Sequence, residues 1–167
     1  RGLGHEYLAL TDHSPRLTVA RGLDAERLTE QLDVVRASNA RTEPDGFRLL
    51  PAIEVDILEN GGLDQEPRML DQLDVVVASV HSKLRADAET MTVRMVGGIA
   101  NRFTNVLGHC TGRLVEGGRG TRPESQFDAE VVFAACAQFE VAVEINSRPE
   151  RRDPPMRLIQ LALDAGC

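Results

Sequence analysis

This sequence of 167 residues contains no Trp, one Tyr, one Lys and only three Cys. Aliphatic side chains must therefore fill the core, and a hydrophobic content of 42% is enough to form one in a single domain. No apolar run approaches the roughly 20 residues of a transmembrane helix, and the first residues lack the apolar segment of a signal peptide, so we expect no membrane association. Three cysteines without close spacing favour free thiols in a reducing cytoplasm.

Acidic residues outnumber basic residues by 26 to 19, and the net charge of -7 argues against a nonspecific nucleic-acid-binding surface. Ten of the basic residues nevertheless lie in four segments that each follow a strand-like segment: 14–22, 82–87, 110–126 and 147–153. Only five acidic residues share these segments. Loops rich in arginine suit a phosphate-containing substrate. An equally good explanation is that these loops carry charged residues only because they are exposed to solvent.

Strand and helix patterns alternate along the chain, which predicts parallel strands joined by right-handed crossover helices. The predicted strands cover residues 6–12, 47–58, 73–80, 105–108 and 141–146, and the predicted helices cover 23–39, 67–72, 87–100, 127–139 and 153–165. The first strand is predicted to be buried. The predicted helix caps are Asp24, Ser125 or Asp128, and Asp153. Five strands cannot close a barrel, so we expect an exposed strand at each edge and at least one further strand missing on either side.

Four strand-like segments end at a residue that can bind a transition metal: His13, Glu54, His81 and His109. In an α/β barrel the carboxyl ends of the strands meet at the face where catalysis takes place. Zinc, manganese and iron all bind imidazole and carboxylate groups. The sequence therefore predicts a hydrolytic site with several metal ions and these four ligands. The fourth histidine, His5, precedes its strand and is expected on the surface at the opposite end.

Further side chains near these strand ends are candidates for catalysis or substrate binding. Asp12 is a candidate ligand, general base or orienting group, although strand alternation points it away from His13 and slightly favours a structural role. Asn146 could hold a water molecule or a substrate oxygen, or bind neighbouring loop backbone. The candidate phosphate-binding residues are Lys83, Arg113, Arg148 and Arg151, with surface salt bridges as the alternative. A nucleophilic role for Cys110 is disfavoured.

Five motifs together resemble one known family, the PHP (polymerase and histidinol phosphatase) domain: 10–14 (LTDHS), 53–56 (IEVD), 79–82 (SVHS), 107–109 (LGH) and 144–147 (EINS). Their order and spacing match along the whole chain, and they are most similar to the PHP domains of bacterial family X DNA polymerases and to related stand-alone phosphoesterases. The resemblance implies a distorted (β/α)7 TIM-like barrel with outer helices. It also implies two or three divalent ions (Zn, Mn or Fe) bound by His13, Glu54, His81 and His109.

The family also uses an HxH pair before the TDH strand and a DxH pair after the EIN strand, and neither pair occurs in this chain. We therefore expect residues 1–167 to correspond to the central part of a single PHP domain, an incomplete barrel whose first and last strands are missing from this chain.

Three functions from different classes are consistent with the resemblance. The first is a metal-dependent phosphoesterase that acts on a phosphorylated small molecule, similar to histidinol phosphatase. The second is a 3′-5′ exonuclease or end-processing module that acts on a nucleic-acid 3′ end, and the third is a metal-poor structural domain. The acidic charge and the scarcity of aromatic residues favour the first over the second. An amidohydrolase with a carbamylated lysine is disfavoured because the only lysine, Lys83, lies beyond its strand in a loop.

Overall fold

A computed structural model describes residues 3–118 and 120–167, so the predictions that involve Arg1, Gly2 and Arg119 lie outside the described residues. Five strands form one sheet in the order β1-β2-β3-β4-β5, and every neighbouring pair is parallel. The strands are β1 Tyr7–His13, β2 Arg48–Asp56, β3 Val75–Ser79, β4 Val106–Leu107 and β5 Ala142–Val143. The α/β class and the parallel order are as predicted, and they are consistent with a TIM-like fold.

Helices connect the strands and cover one face of the sheet. They are α1 Ala25–Thr42, α2 Pro67–Leu70, α3 Ala88–Ile99, α4 Ala129–Gln138 and α5 Met156–Asp164, with short 3-10 helices at Thr18–Ala20 and Glu43–Asp45. The apolar residues of α1 recur at helical spacing, so that Leu28, Leu32 and Val35 all lie in the core. None of the helices in the described part of the chain has both the length and the hydrophobicity needed to cross a membrane.

The helix caps agree with the sequence in two of three cases. Asp24 accepts a hydrogen bond from the backbone N–H of Arg27 at 2.9 Å, and Asp128 accepts one from Val131 at 3.2 Å. The predicted cap at Asp153 is wrong, because α5 begins three residues later without a side-chain cap. The Asp153 carboxylate is buried and instead accepts a hydrogen bond from the backbone N–H of Thr111 at 3.1 Å.

The first strand is more exposed than predicted. Tyr7 is 65% exposed and Leu8 is 54% exposed, because β1 lies at one edge of the sheet and pairs on one side only among the described residues. At the other edge β5 is only two residues long, although the backbone N–H of Glu144 continues the pairing with the carbonyl of Leu107 at 2.9 Å. The described residues thus leave β1 and β5 as the two edges of the sheet, as predicted. That the chain is part of a barrel closed by further strands remains a prediction.

Two glycines in α3 reduce helix propensity, and the structure gives a reason for each of them. A Cβ atom on Gly98 would lie 2.7 Å from the Cδ1 atom of Ile57 in the core. A Cβ atom on Gly97 would lie 2.9 Å from the Cα atom of Gly61, in the turn that follows β2. This is a contact between two backbone segments, so no side-chain rotation can relieve it.

We expect Gly97→Ala to lower the free energy of unfolding by about 1–2 kcal/mol, because the cost of overpacking exceeds the gain in helix propensity. Chemical denaturation measures the difference. Gly118→Ala is the matched control, since no atom lies within 4 Å of its added Cβ. Equal stability of the two variants would contradict the close approach of α3 to this turn.

Candidate metal centre

The carboxyl ends of the strands bring the four predicted metal ligands together. His13 and Glu54 pair in register across β1 and β2, so both side chains project from the same face of the sheet. The Oε1 atom of Glu54 lies 3.0 Å from Nε2 of His81 and 3.6 Å from Nδ1 of His109, and its Oε2 atom lies 3.6 Å from Nδ1 of His13. One carboxylate thus contacts three imidazoles from three other segments of the chain.

The spacing of these groups suits a shared cation. One ligand atom from each of His13, Glu54 and His81 lies within 4.8 Å of the others. The ring centroid of His109 is 5.2 Å from that of His81, so the fourth residue stands beside this group. The Nδ1 atom of His13 is buried and has no hydrogen-bond partner among the described residues. Imidazole and carboxylate groups are the usual ligands of divalent transition metals, and the unpaired Nδ1 atom of His13 could bind such an ion.

The electrostatics of the cluster favour positive charge at its centre. Burial alone would lower the pKa of His81, but its contacts with Asp56 and Glu54 outweigh burial and raise the pKa to about 9. Burial likewise opposes ionisation of Glu54, yet the hydrogen bond with His81 and the charges of the other imidazoles hold its pKa at about 2. The same carboxylates that favour a proton on His81 would favour a metal cation in its place.

The four residues of the cluster line a cleft of about 590 Å³. Arginine side chains form one part of its lining, from Arg122, Arg148 and Arg151, and apolar side chains form another, from Leu17, Val19, Ala20, Val80 and Leu84. Two of the four candidate phosphate-binding residues, Arg148 and Arg151, therefore face the same cleft as the histidines. The cleft combines cationic side chains with a metal-type donor set, which suits an anionic ligand.

Asn146 also lines the cleft, and its amide group is held by neighbouring residues. Its Nδ2 atom donates a hydrogen bond to Oε1 of Glu144 at 3.0 Å, and its Oδ1 atom accepts one from the backbone N–H of Arg148 at 3.1 Å. The structure thus shows the backbone contact that was the alternative for this residue, and a catalytic role for Asn146 stays a prediction.

Three other candidate residues lie outside the cleft lining. The guanidinium of Arg113 is held by the backbone carbonyls of Arg151 and Arg152 and by Glu124, so its donors stabilise the loop instead of facing the cleft. Lys83 is exposed in the loop after β3 and is not one of the described residues that line the cleft. Asp12 pairs with Ile53, which is buried in the core, so Asp12 projects from the opposite face of β1 to His13.

Three residues at the site were not among the candidates from the sequence. Asp56 and Glu144 contact His81 and His109, and Arg122 lines the cleft. The sequence could have indicated two of them. Asp56 is two residues from Glu54, and Glu144 is two residues from Asn146. In a strand this spacing places both members of each pair on the same face. Arg122 comes from a long loop, where sequence spacing gives no direction to a side chain.

The cysteines are unsuited to nucleophilic catalysis. Burial raises the pKa of Cys136 to about 12 and raises that of Cys110 well above its usual value. Cys167 is half-buried, and its thiol donates to the carbonyl of Phe133 at 3.3 Å.

We therefore expect an alkylating reagent at pH 8 to modify Cys167 first and to reach Cys110 and Cys136 only when the protein unfolds. Mass spectrometry after timed quenching measures the order, and the denatured protein, in which all three thiols react, is the control. Rapid modification of Cys110 in the folded protein would contradict this interpretation.

Comparison with known proteins shows two kinds of relative, while no family model matches the chain. The sequence is 36% identical over 150 residues to the DNA polymerase/3′-5′ exonuclease PolX of Bacillus subtilis, which covers 90% of this chain and 25% of that protein. It is 29% identical over 150 residues to the probable phosphatase YcdX of Escherichia coli and 26% identical over 152 residues to a probable phosphatase of Thermoanaerobacter. The chain spans about half the length of these phosphatases, 53% in both cases. The names of both kinds of relative support a PHP-like family for this chain.

Proposed function

We propose that this protein is a metal-dependent phosphoesterase of the PHP type that hydrolyses phosphate monoesters of small molecules, similar to histidinol phosphatase. The observation that carries the proposal is the contact of one carboxylate, Glu54, with three imidazoles at distances of 3.0–3.6 Å. The arginines of the same cleft and the relatives named as probable phosphatases support phosphate as the ligand. In this proposal residues 1–167 are the central part of a single PHP domain.

In this proposal one group of residues binds the cations and another binds the substrate. His13, Glu54, His81 and His109 would hold two or three divalent ions (Zn, Mn or Fe). Such ions provide a hydrolytic nucleophile at neutral pH and offset the negative charge of the phosphate. The guanidinium groups of Arg148 and Arg151 would bind the phosphate oxygens and orient the ester in the cleft. Asn146 would fix the position of a substrate oxygen at the edge of the cluster.

A second candidate function is 3′-5′ exonuclease or end-processing activity on a nucleic-acid 3′ end. The identity of 36% to a polymerase/exonuclease, against 26–29% to the probable phosphatases, favours this candidate. The net charge of -7 favours the small-molecule substrate instead. Both reactions hydrolyse a phosphoester and use the same donor set, so only the substrate distinguishes them. The convergence of three imidazoles and a carboxylate argues against the third candidate, a metal-poor structural domain. That candidate would be favoured only if the full-length protein also lacked the HxH and DxH pairs.

The experiment that tests the proposal compares three substrates with the full-length protein in the presence of Mn²⁺: histidinol phosphate, the generic monoester p-nitrophenyl phosphate, and a DNA oligonucleotide with a 3′ end. We expect hydrolysis of a monoester without degradation of the oligonucleotide. Degradation of the oligonucleotide alone would establish the second candidate. A protein that binds metal but hydrolyses none of the three would contradict both.

A further inference from the structure

A carboxylate from the neighbouring strand lies against each of two histidines of the cluster. The Oδ1 atom of Asp56 accepts a hydrogen bond from the backbone N–H of His81 at 3.0 Å and lies 3.5 Å from its Nδ1 atom. The Oε2 atom of Glu144 accepts one from the backbone N–H of His109 at 2.5 Å and lies 3.3 Å from its Nδ1 atom. The Glu144 oxygen thus bridges the main chain and the imidazole of His109. The Nδ1 atom of His81 is buried and has no hydrogen-bond partner among the described residues, and the Asp56 oxygen that holds the His81 main chain is the carboxylate oxygen that faces it.

The Asp56 carboxylate is buried, and its position is fixed from several sides. Its side chain is 4% exposed, and its backbone N–H donates to Oγ of Ser14 at 3.0 Å. Arg94 of α3 places Nη2 4.0 Å from Oδ1 of Asp56. The same guanidinium donates to the carbonyls of Ile57 and Ser82, both at 2.8 Å. Arg94 thereby connects the segment after Asp56 to the segment after His81.

The position of Asp56 suits orientation of a ligand better than direct binding of a cation. Its Oδ1 atom is already used by the backbone N–H of His81, and the residue is absent from the described group whose ligand atoms lie within 4.8 Å. The two nitrogens of His81 have different neighbours, since Nε2 lies 3.0 Å from Glu54 while Nδ1 faces Asp56. A histidine that binds a metal through one nitrogen usually donates its other N–H to a carboxylate or carbonyl.

We propose that Asp56 is a positioning residue: it holds the proton of His81 on Nδ1 and directs Nε2 towards Glu54 and a bound cation. The inference rests on the proposed metal centre and adds a residue that acts through His81 without touching the substrate. Arg94 supports Asp56 by fixing the two chain segments on either side of it.

The test uses zinc alone as the probe and the full-length protein. Competition with a chromophoric chelator measures zinc affinity for the wild type, Asp56→Asn, Asp56→Ala and the control Asp87→Asn. Asp87 caps the helix that carries Arg94 and is exposed, so its variant makes the same chemical change away from the cluster. We expect Asp56→Ala to weaken zinc binding about 10- to 100-fold. Asp56→Asn should weaken it less, because the amide oxygen still accepts from His81, and Asp87→Asn should match the wild type.

A second measurement separates positioning from general destabilisation. In the zinc-loaded wild type, ¹⁵N NMR should show His81 protonated on Nδ1 and metal-bound through Nε2, and Asp56→Ala should lose this single state. Zinc affinity of a folded Asp56→Ala within twofold of the wild type would overturn the inference. If the wild type binds zinc and Asp56→Ala binds it more weakly, but no phosphoester is hydrolysed, the proposed function fails and the role of Asp56 stands. Absence of zinc binding in the wild type would overturn both.

Discussion

Replacing His81 by alanine is expected to remove bound metal and phosphoester hydrolysis together, with a fall in kcat/KM of about 10³-fold in the full-length protein. The magnitude follows because metal ions contribute several kcal/mol to such reactions and each 1.4 kcal/mol or so is a factor of ten in rate. His81 is the appropriate target because its Nε2 atom makes the shortest contact with Glu54 in the cluster, at 3.0 Å. Elemental analysis of the purified variant and a phosphoesterase assay measure the two losses.

His5→Ala is the matched control for this experiment. It removes an imidazole that lies exposed before β1, at the opposite end of the strand from the cluster. Metal content and activity of the control should equal those of the wild type. Full activity in His81→Ala would remove this residue from the site, whereas retained metal with lost activity would assign it to catalysis and not to metal binding.

Replacing Arg94 by methionine is expected to lower the free energy of unfolding by about 3–5 kcal/mol, the range seen when one partner of a buried ion pair is removed. The side chain of Arg94 is 3% exposed, and methionine would fill much of its volume without its hydrogen bonds. The carbonyls of Ile57 and Ser82 would lose the hydrogen bonds from Arg94, and the buried carboxylate of Asp56 would lose the positive charge of the guanidinium at 4.0 Å. Each loss removes a partner from a buried polar group.

Chemical denaturation compares this variant with Arg85→Met, which removes an exposed arginine from the same region and should change stability by less than about 0.5 kcal/mol. The double variant Arg94→Met with Asp56→Asn should be more stable than the sum of the two single changes predicts, because no uncompensated charge remains. A loss below about 1 kcal/mol in Arg94→Met would show that the guanidinium is not a structural link between the two strand ends.

Much of the fold could be predicted because local patterns specify it. The alternation of strands and helices, the buried face of α1 and the cap at Asp24 all depend on residues close together in the sequence. The predicted cap at Asp153 was wrong because a distant segment supplied the partner of its carboxylate, the backbone of Thr111, 42 residues away. Arg113 likewise donates hydrogen bonds to carbonyls 38 and 39 residues later, while a role for Arg113 in phosphate binding stays a prediction. Neither partner can be inferred from local spacing.

The sequence by itself determined which residues stand at the carboxyl ends of the strands, because strand periodicity and the polar residue after each apolar run are local properties. Only the tertiary structure decided which groups surround each imidazole: the carboxylates of Asp56 and Glu144, and the guanidinium of Arg94 beside Asp56. These contacts depend on the register between neighbouring strands and on the packing of α3, which are set by the whole core. Side-chain direction and burial, and with them the pKa of each group, follow from that packing and not from position along the chain.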